Sequence, residues 1–165
     1  IVFQYLFSLL RFFIADNGVP LSMHTFGILL VVGLFGPRLT LLSIFSYMII
    51  GIIGVPVFQS HNGGIDYFFG VTGGYLIGFI FASVIISILS NSGLKKGLSI
   101  WAMIIGNLMI YITAIVWLSV YDFGWPEKGK LFSQAVYPFL IGDFIKLILA
   151  SLSINILWKL SNKNK

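Results

Sequence analysis

The run from Val136 to Trp158 is apolar almost throughout, yet it carries an acid and a base one helical turn apart, Asp143 and Lys146. Nothing else in the chain restricts its folding as strongly. A charge at the centre of a membrane helix costs about 2.5–3.5 kcal/mol on insertion scales, so ionisable residues at that depth turn inward and mark functional sites. Their i, i+3 spacing places both on one helix face. Two readings follow. The pair is either a self-neutralising ion pair that only packs helices, which is weak support for stability, or a polar clamp for a ligand inside a bundle.

That the bundle lies in a bilayer follows from 58% hydrophobic and 9% charged residues and a mean hydropathy of +1.02, far from soluble averages. A span needs roughly 20 apolar residues, and punctuation by Gly, Pro and charge predicts six, at about 1–15, 20–36, 39–57, 70–90, 98–121 and 136–160. The expected fold is an all-α membrane protein, a bundle of six transmembrane helices forming one domain over 1–165. The second span is confined by Asp16-Asn17-Gly18 and Pro20 before it and by Gly36-Pro37-Arg38 after it. The chain opens on Ile1 rather than Met, so the true start of the first helix is unreadable. Arg11 falls too late for a cleavable signal peptide, whose basic residues precede the apolar run.

Lys and Arg concentrate in cytoplasmic loops. Arg38, Lys95, Lys96, Lys159, Lys163 and Lys165 fall on one side of a six-span arrangement, while Asp16, Asp66, Asp122 and Glu127 with Lys128 and Lys130 fall on the other. Both termini are therefore expected in the cytoplasm. Arg11 fits neither side, and its long stem suits snorkelling to the outer surface or facing the bundle. The net charge of +5 is thus topological and indicates no nucleic-acid partner. There is no Cys, and His24 and His61 are far apart, so neither thiolate chemistry nor a metal-ligand cluster is indicated.

Gly124 to Lys130 has the G-x-x-x-x-G-K spacing of a phosphate-binding loop, but Leu131 stands where Ser or Thr is required. Such a loop follows a strand and opens a helix, whereas this one joins two apolar spans. No nucleophile–base pair is evident either, so the chain reads as a non-enzyme without a nucleotide site of its own.

Glycines crowd the start of the fourth span. Gly70, Gly74 and Gly78 form overlapping G-x-x-x-G spacings that suit close helix packing. The alternative is a helix start whose free N–H groups meet a polar ligand, with Thr72 and Tyr75 supplying hydroxyls. In the fifth span Asn107 is a lone amide with Tyr111 one turn on, fit for an interhelical hydrogen bond or for ligand contact. Together with sixteen Phe, four Trp and seven Tyr, these groups suit a compact, partly apolar solute with a few hydrogen-bonding groups. The rings of charge or carbonyl-lined loops of a channel are not apparent.

The blocks VPLSMHTFGILLVVGLFGPRLTLLSIFSYMIIGIIGVPVF, GG, TGGYLIGF, GNLMIY and PFLIGDFIKLILA, in that order from about Val19 to Ala150, resemble the BioY family. These are the biotin-binding substrate-specificity (S) subunits of energy-coupling-factor (ECF) transporters. The resemblance implies a multi-pass protein of the bacterial cytoplasmic (inner) membrane, embedded in the lipid bilayer and acting in biotin uptake. It implies as partners a transmembrane coupling subunit and two ATPase subunits, and no cofactor besides biotin as transported ligand. It also implies that Asp143 and Lys146 hold the ureido ring, whose two N–H donors and one carbonyl match a carboxylate and an ammonium. Thr72, Gly73, Gly74, Tyr75, Asn107 and Tyr111 are expected to border the pocket, and a first loop carrying Met23, His24, Thr25 and Phe26 is expected to close over it.

Three positions depart from the family's usual pattern. His24 stands where Gln is common, so a titratable ring enters the first loop. Val71 replaces a Pro before Thr-Gly-Gly, and IVFQYLFSLLRFF lacks the Ala-x-x-x-Ala spacing used for docking on a coupling subunit. Two alternatives stay open: a specificity subunit for another small vitamin-like solute, and a non-transporting structural membrane protein.

Overall fold

The structure, a computed structural model, describes residues 11–12, 21–91 and 100–163. Its helices are α1 (His24–Ile52), α2 (Ile65–Phe68), α3 (Gly73–Asn91), α4 (Ile100–Val120), α5 (Leu131–Ala135) and α6 (Tyr137–Lys163), with a 3-10 turn at Gln59–His61. A two-residue antiparallel ladder joins β1 (Arg11–Phe12) to β2 (Leu21–Ser22). The expected first span, 1–15, lies outside the described residues except at Arg11–Phe12, and there it is corrected. The backbone is extended and takes its hydrogen bonds from Leu21–Ser22 instead of from a helical turn, with turn formers between the two strands in sequence. The course of the Arg11 side chain and the basic connection at Lys95-Lys96 lie outside the described residues.

Helical backbone runs unbroken along α1, but α1 is not a rod. The His24 and Tyr47 rings lie 5.1 Å apart, whereas a straight helix would separate those residues by about 34 Å. Thr40 Oγ1 likewise donates to the carbonyl of Val31 at 3.2 Å, where nine residues of straight helix rise about 13 Å. The chain therefore reverses between Val31 and Thr40. Pro37, which lacks the N–H needed for the i→i−4 ladder, lies within that stretch. The second and third expected spans are the two arms of this fold-back.

Among the described residues, two stretches, Ile100–Val120 and Leu131–Ile156, are long and apolar enough to cross a membrane. The second is inside-out relative to a helix of a water-soluble protein. Ile141, Phe144, Leu152 and Ile156 point outward and are more than half exposed, while Asp143 and Lys146 are buried with Leu147, Ala150 and Ile154. Ionisable groups inward and bulky apolar groups outward is the arrangement a lipid solvent selects, and the chain is a membrane protein.

Helices α3 and α4 pack most extensively, antiparallel, and glycine permits the approach. A Cβ on Gly74 would lie 2.8 Å from Ala114 Cα, one on Gly78 would lie 2.8 Å from Ile110 Cα, and one on Gly106 would lie 2.5 Å from Ile86 Cδ1. The G-x-x-x-G spacing at Gly74 and Gly78 is thus a packing device. Around this pair the arms of α1 and helix α6 close a core that includes Ile28, Ile44, Ile86, Met103, Ala150 and Ile154.

Candidate functional site

Asp143 and Lys146 occupy the inward face of α6, 7% and 5% exposed. Lys146 Nζ donates to Asp143 Oδ1 at 2.8 Å. The other carboxylate oxygen, Oδ2, accepts from Tyr111 Oη at 2.5 Å and from Asn107 Nδ2 at 3.4 Å. The i, i+4 spacing of Asn107 and Tyr111 places both on the face of α4 that meets α6. Three donors on one carboxylate offset the cost of burying it. Among the described residues, Lys146 has this single hydrogen-bonded partner, which uses one of its three donors.

The pair opens onto a cavity of about 160 Å³. Helix α3 contributes Thr72 from the preceding turn and Tyr75, Leu76 and Phe79 from one face. Helix α4 contributes Ile110 and Tyr111, and the first turn of α1 contributes His24 and Thr25. The lining thus comes from the N-terminal parts of α1, α3 and α6 and from the middle of α4, and the same helices also build the apolar core. The wall is fixed partly by a break in regular structure. Phe139 N–H bonds the carbonyl of Val136, three residues back, which frees the carbonyl of Ala135, and Tyr75 Oη donates to it at 2.6 Å. Pro138, in the first turn of α6, has no N–H to lose there.

Of the residues expected to border the pocket, Asp143, Lys146, Thr72, Tyr75, Tyr111, His24 and Thr25 line the cavity. Asn107 stands behind Asp143 and reaches the site through it. Gly73 and Gly74 face Trp117 and the backbone of α4. The N–H groups at this helix start are largely satisfied within the turn, Gly73 by Gly70 and both Tyr75 and Leu76 by Thr72. Phe26 belongs to the apolar core, and His24 to Phe26 form the opening turn of α1 instead of a loop. Val71 lines the cavity, as do Gln59, Tyr67, Trp125 and Phe139, which sequence reading passes over. Phe79 and Phe139 were within reach of helical spacing, one turn beyond Tyr75 and one turn before Asp143. Gln59, Tyr67 and Trp125 arrive on short segments between the long helices, where there is no periodic signal.

Trp125 belongs to the connection between α4 and α5, the segment with phosphate-loop spacing. It follows a helix and not a strand, and Lys130 Nζ is paired with Glu127 Oε2 at 2.6 Å on an exposed surface. That hydrogen bond and the charge of Lys130 hold the Glu127 carboxyl below its usual range.

The model of the BioY family matches residues 1–163. The chain is 36% identical over 129 residues to the probable biotin transporter BioY of Pyrococcus horikoshii, spanning 78% of this chain and 74% of that protein. It is 32% identical over 134 residues to the biotin transporter BioY of Thermotoga maritima, spanning 81% and 78%. Its fold is similar, with a TM-score of 0.79, to a 2.1 Å crystal structure of the S-component for biotin from an ECF-type ABC transporter. The two share 27% identity over 96% of this chain and 86% of that one.

Proposed function

Because the chain belongs to the BioY family, we propose that it captures biotin as the substrate-specificity component of an ECF-type ABC transporter. The observation that carries this reading is the buried Asp143–Lys146 pair opening onto an aromatic-walled cavity. A ureido ring brings two N–H donors and one carbonyl. The carboxylate accepts from the first kind and the ammonium donates to the second, both through charge-assisted hydrogen bonds. Tyr75, Phe79 and Phe139 suit the sulfur-containing ring and the aliphatic chain. Thr25 and Thr72 provide hydroxyls at the wall, while Asn107 and Tyr111 hold the carboxylate in place.

In this reading the protein is a single-domain bundle of six spans with both termini in the cytoplasm, a multi-pass protein of the bacterial inner membrane. It binds no nucleotide and needs no cofactor. A transmembrane coupling subunit and two ATPase subunits drive release inside the cell. The binding step is tested by equilibrium titration of detergent-purified protein with biotin, with biocytin, riboflavin and thiamin as competitors. Tight and selective biotin binding is the expected result. Well-folded protein that ignores biotin but takes another of these solutes would reassign the ligand, and protein that binds none would return the ion pair to a structural role.

A further inference from the structure

Three buried side-chain atoms have no hydrogen-bond partner among the described residues: His24 Nε2, Ser87 Oγ and Asn107 Oδ1. Of these residues only His24 lines the cavity. His24 is 3% exposed, and its ring is set between two others, edge-on to Tyr47 at 5.1 Å and tilted against Phe79 at 4.9 Å. Buried nitrogens are almost always paired, and a nitrogen on a cavity wall without a partner among the described residues is placed to take one from what fills the cavity.

The donors and acceptors of Asp143 and Lys146 say what that partner is. Asp143 Oδ2 is taken by Tyr111 and Asn107, and Oδ1 already accepts from Lys146. One acceptor position remains on the carboxylate, against two spare donors on Lys146. A ureido ring has the opposite composition, so its carbonyl is matched by Lys146 and one N–H by Asp143, while its second N–H is left over.

We infer that His24 is a specificity-determining residue whose Nε2 accepts the second ureido N–H. The inference rests on biotin being the ligand. A neutral imidazole protonated on Nδ1 and a glutamine carboxamide share the ability to accept one N–H; of the flanking rings, Phe79 has no acceptor and the Tyr47 hydroxyl is engaged with the Val57 carbonyl at 3.0 Å. A ring carrying only one N–H therefore leaves His24 unpaired and is rejected.

The test is a binding cycle on the whole purified protein, with biotin and the two cyclic carbamate analogues in which one or the other ureido N–H is replaced by oxygen. His24→Phe keeps the aromatic packing and is expected to weaken biotin binding about 10- to 100-fold. His24→Gln is expected to hold it within about threefold. One carbamate regioisomer should bind the unmodified protein as weakly as biotin binds His24→Phe, and the Phe variant should not weaken it further. Folded His24→Phe that binds biotin as the original does would overturn the inference and leave the second N–H to Thr25 or Thr72. If that variant fails to fold, equal affinity of the unmodified protein for biotin and both carbamates overturns it instead. Absence of biotin binding by the unmodified protein would be a failure of the proposed ligand, read before any variant is made.

Discussion

Replacing Lys146 by Met separates the two possible roles of the ion pair, because the two roles respond differently to a second change. Met keeps most of the stem length and removes three donors and the charge. Removing one member of a buried pair costs about 3–5 kcal/mol of stability. Tyr111 and Asn107 remain on the carboxylate, so the lower end is expected and the variant should purify folded. Loss of a charge-assisted hydrogen bond to the ligand carbonyl is worth about 1.5–3 kcal/mol, which is a loss of roughly 10- to 150-fold in biotin affinity. In the double variant Asp143→Asn with Lys146→Met, no charge is buried and the carboxamide oxygen still accepts from Tyr111. Stability should then return to within about 1 kcal/mol of the original, since neutral replacements of buried pairs are often tolerated, while affinity stays lost. Unfolding followed by tryptophan fluorescence in detergent reads the first quantity, and calorimetric titration with biotin reads the second. Unchanged biotin affinity in Lys146→Met would refute the clamp. A double variant as unstable as the single one would refute the electrostatic account of the stability loss.

Tyr111→Phe removes one donor to Asp143 and leaves the ring in place. It is expected to weaken biotin binding about tenfold or more and to lower stability by about 1.5–3 kcal/mol, read by the same two measurements. Gly78→Val places side-chain carbon against Ile110 Cα and the Thr113 hydroxyl. It should lower the unfolding midpoint by an overpacking cost of about 1–3 kcal/mol, and an unchanged midpoint would show that α3 and α4 do not depend on this contact. Thr40→Val deletes the tie between the two arms of α1 and is expected to cost about 1 kcal/mol in the same melt.

The positions of α3, α4 and α6 were legible because each is a long apolar run bounded by Gly, Pro or charge, and the i, i+3 and i, i+4 relations within a helix survive any tertiary arrangement. Asp143 with Lys146, and Asn107 with Tyr111, could therefore be paired on helix faces before their convergence was visible. The break at Gly36-Pro37-Arg38 was read correctly as separating two apolar stretches, although helical backbone continues through the reversal. Arg11–Phe12 went wrong because apolar character alone does not distinguish helix from strand, and the partner strand lies outside the window being read. The glycines before and within α3 permitted two uses, and only the neighbouring helix decides between them. Gln59, Tyr67 and Trp125 could not be anticipated, since their place in the cavity wall depends on how connecting segments cross the mouth of the bundle.

The blind end of the cavity has a thermodynamic consequence. Under the proposed function, a solute bound among His24, Tyr75 and Asp143 exchanges with the compartment that the cavity faces, and among the described residues the packed core of the same helices closes the other side in this conformation. Binding alone can then deplete one compartment but cannot fill the other, however high the affinity. Vectorial movement requires work that alters the packing or turns the site toward the opposite compartment, and the tighter the capture, the more work each release demands.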